Sequence, residues 1–180
     1  AGVCGPSGAA AAKAYGFGQV VAARETALDD LAAMSKIVKT EAFVQGALCS
    51  SFSGQCYMSG FAGGNSGNRG LCKQPCRQKY LLTGKSAPDY AISLSDLCVG
   101  ERINEFIAAG VTAFKIEGRM RRPEYVAAAT SYYRALLDGK KPDISPLKRA
   151  FNRGGYTSGL TFGQGGNFIS PKVQSHIGEK

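Results

Sequence analysis

Four of the six cysteines lie in one glycine-rich stretch, residues 46–80. They are Cys49, Cys56, Cys72 and Cys76, in the order C-x6-C-x15-C-x3-C. Glycine permits backbone angles and close approaches that a side chain would forbid, so a stretch of this composition can wrap around a compact object. Four thiolates on such a backbone can converge on a cubane 4Fe-4S cluster, which is held by cysteine ligands. We therefore predict a 4Fe-4S cluster.

The same cysteines allow two other interpretations. A zinc site usually has two close pairs of the C-x2–4-C kind, and only Cys72 and Cys76 form such a pair. Disulfide bonds would need an oxidising compartment, and nothing in the sequence indicates export. Zinc is the second choice, and spacing alone excludes neither alternative.

Other catalytic chemistries have little support in the sequence. The single histidine, His176, argues against a Ser-His-Asp triad, a Cys-His dyad or an H-E-x-x-H metal site. The glycine pairs at 63–64 and 154–155 do not lie between a strand and a helix start, so no nucleotide-binding glycine motif is indicated. Tyr132 and Tyr133 have the spacing of core residues rather than of a platform for base stacking.

The chain is basic, and its charge bears on the kind of partner it binds. Twenty-two Lys and Arg residues against 13 Asp and Glu give a formal charge of +9. Much of the excess lies at residues 73–79, 119–122 and 140–153, and such clusters attract RNA or a small multi-anionic substrate. The alternative is a basic surface that only keeps the protein soluble.

Neither a membrane span nor a signal peptide is indicated. No stretch approaches the roughly 20 continuous apolar residues of a transmembrane helix. The alanine run at residues 9–12 lacks the basic start and bulky apolar centre of a signal peptide. We therefore expect a cytoplasmic protein.

Short apolar strands alternate with helices along the chain, which predicts an α/β fold with parallel βα units. The predicted strands are residues 19–23, 41–44 and 111–116, with a short β pair at 79–82 and 90–93. Three parallel strands form either a small open sheet or part of a (β/α) barrel whose earlier strands lie outside this chain. The domain is expected to cover residues 1–139, with the cysteine loop at 46–80. An irregular C-terminal extension, including the short helix 145–151, is expected at 140–180.

Polar residues follow each predicted strand, and parallel strands bring such residues to one face of the sheet. The expected set at this face is Arg24, Glu25, Gln45, Glu117 and Arg119. The alternative interpretation is that these residues are solvated side chains at strand ends without a role in a site.

Several ordered motifs resemble peptidase family U32, the collagenase-like proteins. The resemblance rests on Glu41-x-Phe43-x-x-Gly46-Ala47-Leu48-Cys49, Ser53-Gly54-x-Cys56-x-x-Ser59, Asn68-Arg69-Gly70-x-Cys72-x-Gln74-Pro75-Cys76-Arg77-x-x-Tyr80, Ser95 to Cys98, and Lys115-Ile116-Glu117-Gly118-Arg119-Met120. It covers the chain from Gly16 onward, and the tail from Phe151 is similar to the branch that hydroxylates a cytidine of large-subunit ribosomal RNA. One departure is Gln45, where many relatives carry histidine, so an acid or base role there is in doubt.

The resemblance implies a TIM-like barrel of which this chain would supply only the later strands. It implies oxygen-independent hydroxylation of an RNA base or of the ubiquinone ring, with a 4Fe-4S cluster and, in the RNA branch, prephenate as hydroxyl source. The expected partners are RNA, a small anionic co-substrate, and a second chain or missing N-terminal half that completes the barrel.

The family pattern covers Cys49, Cys56 and Cys72, and leaves Cys76 and Cys98 to compete for the fourth ligand position. A helix predicted to start at Ser95 or Asp96 would place Cys98 in its first turn, where the helix dipole lowers a thiol pKa. We therefore expect Cys98 to be the fourth ligand. The alternative interpretation of Cys98 is a small buried apolar residue beside Leu97. No role is expected for Cys4.

The remaining site predictions concern charged residues. Glu25, Glu117 and Arg119 are expected to orient the co-substrate or the base. Arg69 and Arg77, interleaved with the cysteines, would stabilise the reduced cluster or bind phosphate or carboxylate. Two alternative functions remain open: a peptidase acting on collagen-like substrates, and a non-catalytic, metal-stapled RNA-binding module.

Overall fold

The structure is a computed structural model that describes residues 2–118, 121–152 and 154–163. Helices and strands alternate through much of this part of the chain. The helices are α1 (Pro6–Ala14), α2 (Leu28–Ser35), α3 (Met58–Gly63), α4 (Ile103–Ala108), α5 (Pro123–Leu137), α6 (Ser145–Ala150) and α7 (Gly159–Phe162). The strands are β1 (Gln19–Val21), β2 (Lys39–Ala47), β3 (Asp96–Cys98), β4 (Ala113–Ile116) and β5 (Tyr156–Thr157). Single 3₁₀ turns occupy Gly67–Arg69, Pro75–Arg77 and Gly100–Arg102.

Strand β2 holds the sheet together, because three other strands pair with it. β1 and β4 run parallel to β2, whereas β3 runs antiparallel to it, and β5 pairs parallel with β3. Phe43 and Val44, side chains of the type that strands favour, are both buried, as expected for a strand covered on two faces. The predicted α/β class is confirmed. The sheet is mixed and open among the described residues, and the barrel remains a prediction.

Helices α2, α4 and α5 supply most of the core that covers the sheet. Leu31 and Met34 of α2, and Ile103 and Phe106 of α4, are each three residues apart and almost fully buried. Residues at this spacing share one helix face, so each short helix buries a single apolar stripe. The longer α5 buries Tyr125, Ala129, Tyr132, Tyr133 and Leu136. Tyr132 and Tyr133 are therefore core residues, as predicted.

The helix predicted to start at Ser95 or Asp96 is wrong at its beginning. Residues Asp96–Cys98 form β3, in register with Gln45–Ala47 of β2, and α4 begins only at Ile103. Pairing with strands on both sides satisfies the backbone polar groups of this segment, and that tertiary contact outweighs its local pattern. The predicted β pair around residue 84 is reduced to one antiparallel bridge between Tyr80 and Asp89.

The described part of the predicted C-terminal extension packs against the sheet. β5 pairs with β3, and Leu147 of α6 is buried in the core. The boundary at residue 139 stays a prediction. No helix in the described ranges combines the length and the apolar character needed to cross a membrane.

Gly46 marks the point where β2 approaches the end of β4 most closely. Its φ is +118°, outside the range that L side chains readily adopt. An added Cβ would lie 2.6 Å from both the Cβ and the carbonyl oxygen of Glu117. Glycine is thus required here both for the backbone angle and for the space.

We predict that Gly46→Ala lowers the free energy of unfolding by at least about 2 kcal/mol, because the new methyl group meets backbone that cannot move aside. Denaturant titration measures the effect. The matched control is Gly60→Ala in α3, where a Cβ meets nothing within 4 Å and φ is not positive. That control should be neutral or slightly stabilising, and equal behaviour of the two variants would contradict the prediction.

Candidate functional site

Two of the predicted strand-end residues meet at the carboxyl ends of the parallel strands. A guanidinium nitrogen of Arg24, after β1, lies 2.5 Å from Oε2 of Glu117, after β4. The Arg24 guanidinium also lies 4.0 Å above the ring centroid of Phe43. Both charged side chains are partly buried, so the pair is fixed in place and retains limited access to solvent. The catalytic role of Glu117 stays a prediction, and Arg119 and His176 lie outside the described residues.

Glu25 holds the glycine-rich stretch against the end of β1. Its Oε1 accepts a hydrogen bond from the backbone N–H of Ser53 at 2.7 Å, and its Oε2 accepts one from the Ser53 hydroxyl at 2.8 Å. Ser53 is itself buried. Both carboxylate oxygens are therefore engaged with the loop, an arrangement that supports a positioning role for Glu25.

Hydrogen bonds within the glycine-rich stretch fold it back on itself. The Asn68 side-chain amide donates to the carbonyl of Gly54 at 3.0 Å. The backbone N–H of Lys73 donates to the buried Ser59 hydroxyl at 2.9 Å. These two bonds hold the segment that carries Cys72 beside the segment that carries Cys56.

The buried guanidinium of Arg77 connects the second half of the stretch to β2. It donates to the Leu48 carbonyl at 2.7 Å, to the Ser93 hydroxyl at 3.0 Å and to the Leu94 carbonyl. The side chain is only 3% exposed. Cys76, the neighbour of Arg77, is thereby held near Cys49, the neighbour of Leu48. Arg69 is exposed, so of the two arginines predicted to bind a cofactor it is the accessible one.

The electrostatics of Cys49 show the same grouping. Burial raises the pKa of its thiol, and the nearby Cys76 and Cys56 raise it further, whereas Arg24 acts in the opposite direction. The thiols of Cys56 and Cys76 are thus near enough to Cys49 to influence its pKa. Cys72 is exposed.

Cys98 lies in β3. Its Sγ is 3.6 Å from the Tyr133 hydroxyl, and burial raises the pKa of its thiol. Its register partner on β2 is Gln45. Cys49 follows Gln45 by four residues, beyond the end of β2 at Ala47. The reason for expecting Cys98 as a ligand, a helix N-terminus, is wrong because the residue is in a strand.

The described cysteines do not form a site for a single metal ion. Among the described residues, which include all six cysteines, no three His, Cys, Asp or Glu side chains are close enough to hold one. Each thiolate of a cubane binds a different iron atom, so the sulfurs of a cluster site are farther apart than the ligands of one zinc ion. Four thiolates on one loop are the donor type of such a cluster, and the identity of the group that they hold stays a prediction.

A pocket of about 480 Å³ opens beside Cys49. Its lining combines a carboxylate, two hydroxyls, an aromatic ring and apolar side chains. The lining residues are Glu25, Cys49, Ser50, Ser51, Phe52, Leu94 and Leu160. This volume and mixed lining suit a small molecule with one planar face and a few polar groups.

Sequence reasoning missed Ser53, Ser59 and the structural use of Arg77. Each of them lies within the quoted motifs. A polar side chain in a glycine-rich segment was the only indication of a structural contact. No local periodicity shows which distant group each of them contacts. Gln45, buried between the sheet and α5, has its side-chain oxygen 3.2 Å from the Tyr133 hydroxyl, an environment that the sequence did not indicate either.

The sequence model of peptidase family U32 matches residues 3–167. The 23S rRNA 5-hydroxycytidine C2501 synthase of Escherichia coli K12 is 39% identical over 75% of this chain, and tRNA hydroxylation protein P1 of Bacillus subtilis is 36% identical over 70%. A collagenase of Porphyromonas gingivalis strain W83 is 40% identical over 56% of this chain.

The chain spans only part of each of these relatives. The matched regions cover 22% of the E. coli protein, 33% of the B. subtilis protein and 26% of the P. gingivalis protein. No solved structure matches this chain.

We predict that Arg77→Met lowers the free energy of unfolding by about 3 kcal/mol, because the substitution leaves buried carbonyl and hydroxyl acceptors without their donor. Tryptic cleavage after Lys73 and Lys79 should also become faster, since the second half of the stretch is no longer held. Denaturation and timed proteolysis measure the two effects. Arg69→Met, at an exposed position in the same loop, is the matched control, and equal stability of the two variants would contradict the prediction.

Proposed function

The chain belongs to peptidase family U32, and we propose that it is an iron-sulfur enzyme, or the cluster-bearing part of one, that hydroxylates an RNA base without molecular oxygen. The observation that carries this proposal is its 39% and 36% identity to relatives named for hydroxylation of ribosomal and transfer RNA. The four-cysteine loop and the charge of +9 agree with it. The proposed substrate is ribosomal or transfer RNA, for which the cytoplasm is the expected site of action.

We propose Cys49, Cys56, Cys72 and Cys76 as the residues that hold the cluster. The Arg77 contact to Leu48 and the Ser59 contact to Lys73 support this set. Cys98, the fourth ligand expected from the sequence, is the competing choice. When bound, the cluster would supply one-electron chemistry at this loop.

The proposed reaction replaces a hydrogen on a base carbon by a hydroxyl, which is a two-electron oxidation of the base. A donor R–OH that gives up its hydroxyl and takes the hydrogen is reduced by the same two electrons, so no oxygen is consumed. Prephenate, the donor implied by the family resemblance, has this chemistry. The pocket beside Cys49 would hold the donor or the base, and Arg24, paired with Glu117, would attract the donor's carboxylates.

This chain's own residues have three tasks in this proposal. Glu25 and Arg77 keep the loop in place, the mostly apolar pocket lining limits the access of water, and the basic surface binds the RNA backbone. The complete active site would sit in a TIM-like barrel, to which residues outside this chain or a second chain contribute further strands.

A peptidase is the second candidate, favoured by the 40% identity to the P. gingivalis collagenase. Peptide hydrolysis needs an activated nucleophile or a metal-bound water. The one histidine of this sequence, His176, lies outside the described residues, which therefore contain no Cys-His or Ser-His pair. A non-catalytic RNA-binding module is the third candidate, and the experiment below separates it from the first.

The proposed function predicts that RNA from a strain lacking this gene contains one base whose mass is lower by one oxygen atom. Mass spectrometry of ribosomal and transfer RNA digests measures it. Reintroducing the gene should restore the modification, whereas a gene with Cys49→Ser should not. If the RNA of the deletion strain is unchanged and the purified protein binds RNA, the protein is a non-catalytic RNA-binding module. Collagen digestion that tracks with the purified protein and survives cysteine substitution would favour the peptidase.

We predict that serine substitution of Cys49, Cys56, Cys72 or Cys76 removes most of the iron and acid-labile sulfide from anaerobically purified protein. Each of these substitutions deletes a thiolate ligand. Cys4→Ser is the control and should retain full content, as should Cys98→Ser. Loss of iron from the Cys98 variant with retention in the Cys76 variant would assign the fourth position to Cys98. A wild-type protein that is active without iron would contradict the cluster altogether.

A further inference from the structure

Three large aromatic side chains of the glycine-rich stretch point into solvent. Phe52, Tyr57 and Phe61 are 74%, 63% and 92% exposed. Exposing such rings costs hydrophobic free energy that burial would recover. Three of them lie within ten residues of sequence, and clustered exposed rings are a feature of interaction sites.

Two of these rings lie on the same side of a short helix. Tyr57 immediately precedes α3, and its carbonyl accepts a hydrogen bond from the backbone N–H of Phe61 at 3.0 Å. Residues four apart in this arrangement are neighbours on the helix surface. Ser59, between them in sequence, is buried and accepts the bond from Lys73. The helix therefore turns its polar contact inward and leaves the two rings exposed.

The charge of this region is of one sign. Between Glu41 and Asp89 the sequence has five basic residues, Arg69, Lys73, Arg77, Lys79 and Lys85, and no acidic one. The folded loop also brings the backbone of two basic residues close to the segments that carry the rings. The Ser59 contact holds Lys73 beside α3, and the Asn68 contact to Gly54 holds Arg69 near the turn that follows Phe52.

We propose that Phe52, Tyr57 and Phe61, together with Arg69 and Lys73, form a surface that binds single-stranded RNA by base stacking. This inference rests on the proposed function and adds the form of the substrate. Rings stack only on bases whose faces are free, and neighbouring cations neutralise the phosphates between those bases. A base paired within a duplex offers no such face. The substrate segment is therefore an unpaired loop or end.

The surface continues to the pocket beside Cys49. Phe52 belongs both to the exposed rings and to the pocket lining. A target base turned out of its strand could thus enter the pocket past Phe52 while its neighbours stack on Tyr57 and Phe61. This arrangement follows the general rule that enzymes acting on a base remove it from the stack.

A protein partner is the other class of occupant for exposed rings. The interiors of protein interfaces are depleted in charged residues, especially lysine. Here the stretch that carries the rings also carries basic residues and no acidic one. The carboxylate of Glu25, from outside the stretch, is already engaged by Ser53. Charge complementarity therefore favours a polyanion with planar groups over the apolar surface of a protein.

The test measures binding of an unstructured RNA oligonucleotide by fluorescence anisotropy. Phe61→Ala and Tyr57→Ala should each weaken binding about tenfold, the size expected for the loss of one base–aromatic stack. Phe61→Trp should retain affinity and Phe61→Leu should lose as much as Phe61→Ala, because leucine keeps the apolar character but not the stacking. Lys73→Gln and Arg69→Gln should each reduce the salt slope of log K by about 0.7.

Tyr15→Ala is the matched control, because this ring is 84% exposed at the end of α1, outside the loop. The inference is overturned if Phe61→Ala and Tyr15→Ala bind RNA equally well, or if Phe61→Leu binds like wild type, which would indicate an apolar protein contact. A duplex of the same sequence that binds as tightly as the single strand also overturns it. Wild-type protein that binds no RNA would instead refute the proposed function itself.

Discussion

The buried guanidinium of Arg77 connects the glycine-rich stretch to the sheet. It donates hydrogen bonds to groups that belong to two segments, the end of β2 at Leu48 and the approach to β3 at Ser93 and Leu94. Such a cation is costly to bury unless its donors are satisfied, so the contacts are strongly favoured once the fold forms. The position of Cys76 relative to Cys49 depends on these bonds.

A loop rich in glycine has a large conformational entropy to lose, and few of its own side chains can offset that loss by apolar burial. Polar contacts offset the loss of conformational entropy instead. Glu25 holds Ser53 at the end of β1, Ser59 holds the backbone at Lys73, and Arg77 holds the following turn. A loop held in this way would need less rearrangement to bind the proposed cluster, which is the physical meaning of preorganisation.

The strand ends and the loop are joined by direct contacts. The Arg24–Glu117 pair lies at the carboxyl ends of β1 and β4, where parallel sheets carry their sites. Gly46 allows β2 to come close enough to the Glu117 backbone for this edge to form. Glu25 joins this edge to the loop. The lining of the pocket beside Cys49 includes Glu25 from the edge and Phe52 from the loop. The proposed chemistry, substrate binding and loop structure are therefore coupled through few residues.

The amino-acid sequence by itself determined the features that depend on composition and short-range order. The α/β class, the density of thiols among glycines and the excess of positive charge follow from neighbouring residues alone. The motifs also identified the family, because their order along the chain is itself information.

Only the tertiary structure decided what depends on distant partners. Asp96–Cys98 has a local pattern compatible with a helix start, yet it forms a strand because β2 and β5 offer their backbone groups on either side. The partners of Arg77 lie 16 to 29 residues away in the chain, and those of Glu25 lie 28 away. The local sequence around a side chain with several donors does not specify its acceptors. The acceptors are determined when the sheet assembles and brings separate segments within hydrogen-bonding distance.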